Sequence, residues 1–233
     1  MAYAHENIQS DLVRWLDFFE GSRAYLQEKD FSGRACHLLR EYHSMATIMA
    51  ATCLAPEDQS AFDSYTDQFL LITQQSLEMW KILRSMPGLK VLPKHRVHLS
   101  ESMVDFGWIP PLYYTALKCR VHRIRIQAIR LIEASSHREA IWYSNIVAIL
   151  ARKVMELEEG IFYGDTSAAD NFTLSRFPSR KDLSVQTLPD LNRIQVVEVT
   201  LVDDPVSSVL LCYKAQHANR KWVDVRIFVT GVW

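Results

Sequence analysis

Residues 107–144 read GWIPPLYYTALKCRVHRIRIQAIRLIEASSHREAIWYS, and this stretch decides how the rest of the chain is interpreted. Its double proline, Pro110–Pro111, suits the first turn of a helix, because proline lacks the amide hydrogen that this turn leaves unpaired. Apolar residues recur at helical spacing from Arg120 to Ala134, and Ser135–Ser136 then interrupt the pattern and can cap the next helix. The stretch therefore predicts three consecutive helices, the last running from His137 to Glu158.

The first half of the chain predicts three long amphipathic helices. Apolar side chains recur every three or four residues within Ile8–Gln27 and within Gln59–Leu83. A run between these two begins at Ser32 or Gly33 and ends before Pro56, since proline cannot continue a helix. Together these patterns predict a mainly α fold, arranged as an antiparallel helical bundle or a loose helical solenoid.

The C-terminal part of the chain has a different composition. Residues 161–190 are rich in Ser, Thr, Asp and Arg, which predicts a flexible loop or linker. Three short strand-like runs follow, at Arg193–Leu201, Ser207–Tyr213 and Trp222–Val229. We therefore expect a helical domain over residues 1–160, and a small antiparallel β-meander over residues 191–233 that packs on it.

The quoted stretch resembles the regulatory domain of fungal Zn2Cys6 transcription factors. In that family it typically reads Gly, two Pro, Leu-Tyr or Leu-Phe, a small apolar patch, Lys-Cys-Arg, a basic helix, then Arg-Glu-Gly, an apolar residue and Trp. The matching positions here are Gly107, Pro110–Pro111, Leu112–Tyr113, Lys118–Arg120, Arg138–Glu139 and Trp142. A weaker similarity extends from Arg14–Trp15 to Trp233. The resemblance implies a helical scaffold that binds a ligand.

Four positions depart from the family pattern. Val121–His122 stand where Asp-Pro is common, which is a modest structural change at a helix start. Ala140 stands for Gly, and Tyr143 stands for a frequent Asp. Replacing a charged residue by an aromatic one fits a pocket adapted to an apolar ligand, and it fits neutral drift equally well.

The cysteines do not form the metal cluster of the resembled family, which needs six closely spaced thiolates. The chain has four, Cys36, Cys53, Cys119 and Cys212, and no Cys-x-x-Cys pair. The nearest metal-ligand spacing, His95-x-x-His98, lies in a proline-flanked loop. The sequence also lacks a phosphate loop and a dinucleotide glycine fingerprint. We therefore expect neither a metal nor a cofactor.

Charge and hydropathy bear on location and partners. Lys and Arg number 26 against 27 Asp and Glu, whereas nucleic-acid binding normally requires a basic excess. The one basic run, Lys118–Arg130, has an apolar face and is interpreted as a solvated helix. A polar N-terminus and short apolar runs argue against a secretory signal and a membrane span. We expect an intracellular protein, cytoplasmic or nuclear, without direct DNA contact; homo-oligomerisation stays open.

Aromatic residues mark the candidate ligand site, between the second, fourth and sixth predicted helices. They are Trp108, Tyr113, Tyr114, Trp142 and Tyr143. Adjacent residues on a helix differ by about 100°, so one of each neighbouring pair can line a pocket while the other packs in the core. An alternative is that all five are core residues. The candidate catalytic residues are Tyr42 and His43, which can donate a hydrogen bond or move a proton, and Asp105.

These observations favour a transcription-factor-like helical protein that binds an apolar small molecule. Because Met1 reads as a natural start, the stand-alone form is preferred. Such a protein can act as a cofactor-independent cyclase, isomerase or pericyclase of fungal natural-product biosynthesis, since holding a flexible substrate in a reactive shape lowers an entropic barrier. The alternatives are a ligand-sensing regulatory module of a Zn2Cys6 factor and a helical adaptor that binds another protein.

Overall fold

The computed structural model describes residues 2–26, 30–55, 58–85, 103–104, 107–135, 138–139, 142–160, 162–163, 170–184, 188–201, 208–216 and 222–230. Helices dominate these residues, and the last three strands form a small antiparallel sheet. The mainly α fold class predicted from the sequence is confirmed.

The helices and strands have the following bounds. The α-helices are α1 Ala2–Leu26, α2 Asp30–Thr52, α3 Thr66–Ser85, α4 Ile109–Lys118, α5 His122–Glu133, α6 Ser144–Glu159 and the single turn α7 Arg180–Leu183. Two 3-10 helices occupy Gln59–Tyr65 and Asp190–Asn192. The strands are β1 Met103–Val104, β2 Arg138–Glu139, β3 Trp142–Tyr143, β4 Ile194–Leu201, β5 Ser208–Gln216 and β6 Trp222–Thr230.

The helix predicted from His137 is wrong in its first turns. Here β2 pairs antiparallel with β3, and β2 also pairs parallel with β1. Helix α6 begins only at Ser144. Trp142 and Tyr143 are aromatic residues that favour a pleated conformation, and pairing with a remote strand supports that preference. The consequence is that Glu139 and Trp142 stand opposite each other across the β2–β3 pair.

Helix α5 lies at the centre of the packing, against α3, α4 and α6. The larger core cluster joins α3–α6 to the inner face of the C-terminal sheet, which contributes Ile194, Val209, Leu211, Tyr213 and Val229. A smaller cluster contains Ile48 of α2, Phe69 and Ile72 of α3, and Ile124 of α5. Burial of these side chains is the main favourable contribution to folding. Within the described ranges, no helix has both the length and the apolar character needed to cross a bilayer.

Candidate functional site

The start of α4 is built around the carboxylate of Glu139. Its Oε2 accepts a hydrogen bond of 3.0 Å from the backbone N–H of Ile109, and the residue is buried. The unpaired amides and the dipole of a helix N-terminus favour a negatively charged acceptor at this place. Gly107 permits the close approach, because a Cβ atom there would overlap the Glu139 carboxylate. A glycine at this position of the motif therefore leaves room for the Glu139 carboxylate.

Trp108 fastens the start of α4 to the end of α5. Its Nε1–H donates to Ser135 Oγ at 2.7 Å, and Ser135 Oγ donates in turn to the Leu131 carbonyl at 2.7 Å. All three residues are buried. A buried indole N–H normally finds such a partner. Trp108, predicted to bind a ligand, therefore has an observed packing role in the core.

Tyr113 and Tyr114 point into different clusters, as their angular separation on the helix requires. Tyr113 contacts Trp142, with ring centroids 5.5 Å apart, within the larger cluster. Tyr114 instead contacts Phe62 and Phe69 at the smaller cluster. The structure thus brings Tyr113 and Trp142 together and separates Tyr114 from them.

Tyr42 and His43 lie on different sides of α2. Burial first, and then the negative charges of Glu139 and Glu41, raise the pKa of Tyr42 to about 12. Its hydroxyl therefore lies within electrostatic reach of the carboxylate at the start of α4. The Nε2 of His43 lies 2.9 Å from the Leu12 carbonyl, and its ring stacks on Trp15 of α1. His43 thus packs against α1, whereas Tyr42 interacts electrostatically with Glu139.

The remaining predicted residues are placed as follows. Tyr143 is half-buried against the larger cluster. Asp105 lies outside the described residues, as do His95 and His98 of the weak metal-ligand spacing.

Glu41 is a site residue that sequence reasoning missed. It is completely buried between α2 and α3, where its Oε1 accepts a hydrogen bond of 2.9 Å from Ser76 Oγ. Burial raises the pKa of Glu41 well above its ordinary value; the Ser76 hydrogen bond opposes this shift, and the charge of Glu139 adds to it. The signal in the sequence is its position, three residues before Ser44 and seven before Ile48, on the face of α2 that forms the core.

Contacts and charges link residues from distant parts of the chain. Glu139 of β2 bonds to the start of α4, Trp142 of β3 contacts Tyr113 of α4, and the charge of Glu139 acts on Glu41 and Tyr42 of α2. Side chains that stand directly opposite in an antiparallel pair share one face, which places Trp142 beside Glu139. The arrangement combines aromatic walls with two carboxyl groups and a phenol. Comparisons with protein families, with curated proteins and with solved structures find no match to this chain.

A second polar cluster is centred on Arg125, and it overturns the interpretation of α5 as a solvated helix. Arg125 is fully buried. Its Nη2 lies 2.6 Å from Glu158 Oε2, its Nη1 donates to Glu159 Oε1 at 3.1 Å, and its Nε donates to the Ala116 carbonyl at 2.9 Å. Burial lowers the pKa of Arg125, but the two glutamates outweigh it and raise the pKa. Glu158 also accepts from the Ile194 amide at 3.0 Å, so the cluster links α4, α5, α6 and β4.

His122 extends this cluster toward Asp170. Its Nδ1 lies 2.6 Å from Glu159 Oε2, and its Nε2 lies 2.7 Å from Asp170 Oδ1. Both ring nitrogens donate only when the imidazole is protonated. Burial lowers the pKa of His122, but the hydrogen bonds and charges of Glu159 and Asp170 raise it above 6.5. The departure from Asp-Pro therefore places a histidine between two carboxylates.

The basic face of α5 holds residues 170–176, which fall within the segment predicted as a flexible linker. Arg130 Nη1 donates to the carbonyls of Asp170 at 3.2 Å and Phe172 at 2.9 Å. Gln127 donates to Leu174 at 3.0 Å, and Arg123 donates to Arg176 at 2.9 Å. The guanidinium groups of Arg123 and Arg130 also lie over the Phe172 ring, 3.3 and 4.5 Å from its centroid. These basic side chains are used within the fold.

The Lys-Cys-Arg motif has a similar packing role. Lys118 Nζ donates to Gln59 Oε1 at 3.0 Å, and Arg120 Nε lies 2.9 Å from Asp63 Oδ1. Both contacts tie the α4–α5 junction to the 3-10 helix Gln59–Tyr65. Burial raises the pKa of Cys119 to about 12, and a thiol so rarely ionised is a poor nucleophile.

We expect the protein to lose stability as the pH rises through the folded-state pKa of His122. Since folding raises this pKa above 6.5, the folded state binds the proton more tightly than the unfolded state does. The stabilisation is fully present below the unfolded value of about 6.5, and it disappears above the folded value. Urea denaturation between about pH 6 and pH 9 measures this loss.

The matched variants for this experiment are His122→Gln and His43→Gln. His122→Gln removes the titrating group, so we expect its stability profile to be flatter over the same pH range. His43→Gln replaces a histidine that is bonded to a backbone carbonyl, and it controls for the loss of a histidine as such. An unchanged slope in His122→Gln would show that this histidine does not carry the effect.

Proposed function

We propose that this chain is a helical module that binds an apolar small molecule, of the ligand-sensing kind implied by its resemblance to the regulatory domain of fungal Zn2Cys6 factors. The observation that carries the proposal is the contact between Tyr113 and Trp142, beside the Glu139 carboxylate that accepts from the start of α4. Small-molecule sites in proteins typically combine apolar and aromatic walls with a few polar groups.

A site in this position suits sensing. It takes side chains from α2, α4 and the β2–β3 pair, and Trp108 in the adjacent turn is bonded to the end of α5. A ligand that contacts several elements favours the arrangement in which all the contacts are made together. Its binding would therefore shift the population of helix arrangements, which is the property a regulatory module needs.

Affinity selection tests the proposal. The purified protein is incubated with a library of apolar natural products, and retained compounds are identified by mass spectrometry and measured by calorimetry. We expect Tyr113→Phe, which removes one hydroxyl group, to weaken the binding of such a compound about threefold to tenfold, the value of one hydrogen bond. Its free energy of unfolding should change by less than about 1 kcal/mol.

Tyr114→Phe is the matched control, because this tyrosine is the next residue of α4 but belongs to the smaller cluster. We expect it to bind the same compound with native affinity. If the Tyr113 and Tyr114 variants lose affinity and stability equally, both are ordinary core residues and the proposed site is wrong. Retention of no compound from the library would contradict the proposal as a whole.

A second candidate function is cofactor-independent cyclisation or isomerisation of the bound compound. It is favoured by the two proton-bearing groups at the site, because burial raises the pKa of both Glu41 and Tyr42 and so favours their protonated forms. A buried acid can polarise a carbonyl group as charge develops on it. The same mass spectrometry distinguishes the two functions: a catalyst converts a retained compound into an isomer of equal mass and different retention time, and a sensor returns it unchanged.

A further inference from the structure

The carboxyl group of Glu41 has one oxygen satisfied and one oxygen without a partner. Oε1 is bonded to Ser76 Oγ, whereas Oε2 is buried and has no hydrogen-bond partner among the residues that the structure describes. Nearly all buried polar atoms in folded proteins are paired, because an unpaired one retains its desolvation cost. A polar group that reaches this oxygen would satisfy it.

We propose that Glu41 is the polar anchor of the site, and that the ligand presents a neutral hydrogen-bond acceptor, such as an ester or ketone carbonyl, to its Oε2. The inference rests on the proposed function and names the chemical class of its ligand. Glu41 Oε2 donates its proton to that carbonyl while Oε1 continues to accept from Ser76. The apolar remainder of the ligand packs against the aromatic pair of Tyr113 and Trp142.

The surroundings of Glu41 disfavour charged ligands. An anionic ligand would be brought near Glu139, whose charge already acts on Glu41, and like charges repel strongly in a buried site. A cationic ligand would require Glu41 to ionise in a completely buried position, which costs more than keeping the proton. A neutral acceptor brings no second negative charge near Glu139, and it leaves Glu41 protonated. It also accepts a hydrogen bond from the unpaired oxygen.

Four probes of ten or eleven carbon atoms test the ligand class: methyl decanoate, decanoate, decylamine and undecane. Each is used below its self-association concentration to displace Nile red, a neutral dye with a ring carbonyl, from the protein. We expect methyl decanoate to bind at least tenfold more tightly than decanoate and undecane, and more tightly than decylamine. Equal affinities, or tightest binding by decylamine or decanoate, would overturn the inference.

Variants at Glu41 test the anchor itself. Glu41→Leu removes both oxygens and should reduce the affinity for methyl decanoate at least tenfold, to the level of undecane. Removing the unpaired oxygen is favourable and leaving Ser76 Oγ without its acceptor is unfavourable, so the melting temperature of the variant is measured beside its affinity. Glu41→Gln keeps one hydrogen-bond donor and should retain most of the ester affinity. Glu156→Gln, a change at an exposed position of α6, should leave all four affinities unchanged.

The outcomes separate this inference from the function on which it rests. If Nile red does not bind, both the site and its anchor are refuted. If Nile red binds and Glu41→Leu affects no probe, the ligand-binding module stands and Glu41 is not its anchor. Should Glu41→Leu fail to fold, Glu41→Gln and the native probe series decide the question, because loss of the ester preference in either one contradicts the inference.

Discussion

Replacing Arg125 by methionine lowers the free energy of unfolding by about 3–5 kcal/mol. The change removes the cation from a site where Glu158 and Glu159 are both buried, so Glu158 loses its counter-charge and Glu159 keeps only its contact with His122. It also leaves the Ala116 carbonyl without its donor. Urea denaturation followed by circular dichroism at neutral pH measures the loss.

The control for this prediction is Arg152→Met on the neighbouring helix α6. Arg152 pairs with Glu133, and both side chains are about two-fifths exposed. An ion pair in contact with water contributes little, so we expect a change of less than about 1 kcal/mol. Equal losses in the two variants would mean that burial gives the Arg125 cluster no special importance for stability.

Gly107→Ala lowers the free energy of unfolding by about 1–3 kcal/mol. The added methyl group occupies the space of the Glu139 carboxylate. Either the carboxylate gives up its hydrogen bond to Ile109, or the start of α4 moves, and both overpacking and the loss of a helix cap are destabilising. Chemical denaturation gives the magnitude.

Gly21→Ala makes the same substitution where there is room. A Cβ atom at Gly21, in the interior of α1, meets nothing within 4 Å, so alanine should stabilise the helix by about 0.5–1 kcal/mol. A double-mutant cycle with Glu139→Ala identifies the cause of the Gly107 effect. If the two changes at Gly107 and Glu139 are additive, the overlap between them is not what destabilises the variant.

The helices and the C-terminal strands were predictable from the sequence because their signals are local. Apolar spacing located α2 and α5 to within a few residues, and alternation located β4 and β6, whereas α1 begins at Ala2, six residues before the predicted start at Ile8. The β2 and β3 strands were not predictable in this way, because they contain two residues each and depend on pairing with the remote β1. Tertiary pairing overrides local propensity most easily in such short elements.

The candidate site was partly predictable, and the missing part is long-range. Helical geometry requires Tyr113 and Tyr114 to diverge, but it cannot tell which of them meets Trp142. A buried arginine has the same sequence signature as an exposed one, so the pairing of Arg125 with Glu158 on another helix was not visible. Glu41 was missed for a related reason. An acidic residue suggests a surface position, whereas the position of Glu41 along α2 places it on the helix face that forms the core.

The attachment of residues 170–176 to α5 has a consequence for how this part of the chain tolerates change. Arg123, Gln127 and Arg130 bond to carbonyl oxygens of every second residue, and a carbonyl is the same in every amino acid. The intervening side chains at 171, 173 and 175 are exposed. The residue types at these three positions can therefore vary. An insertion or deletion of one residue would instead move every carbonyl acceptor away from its donor.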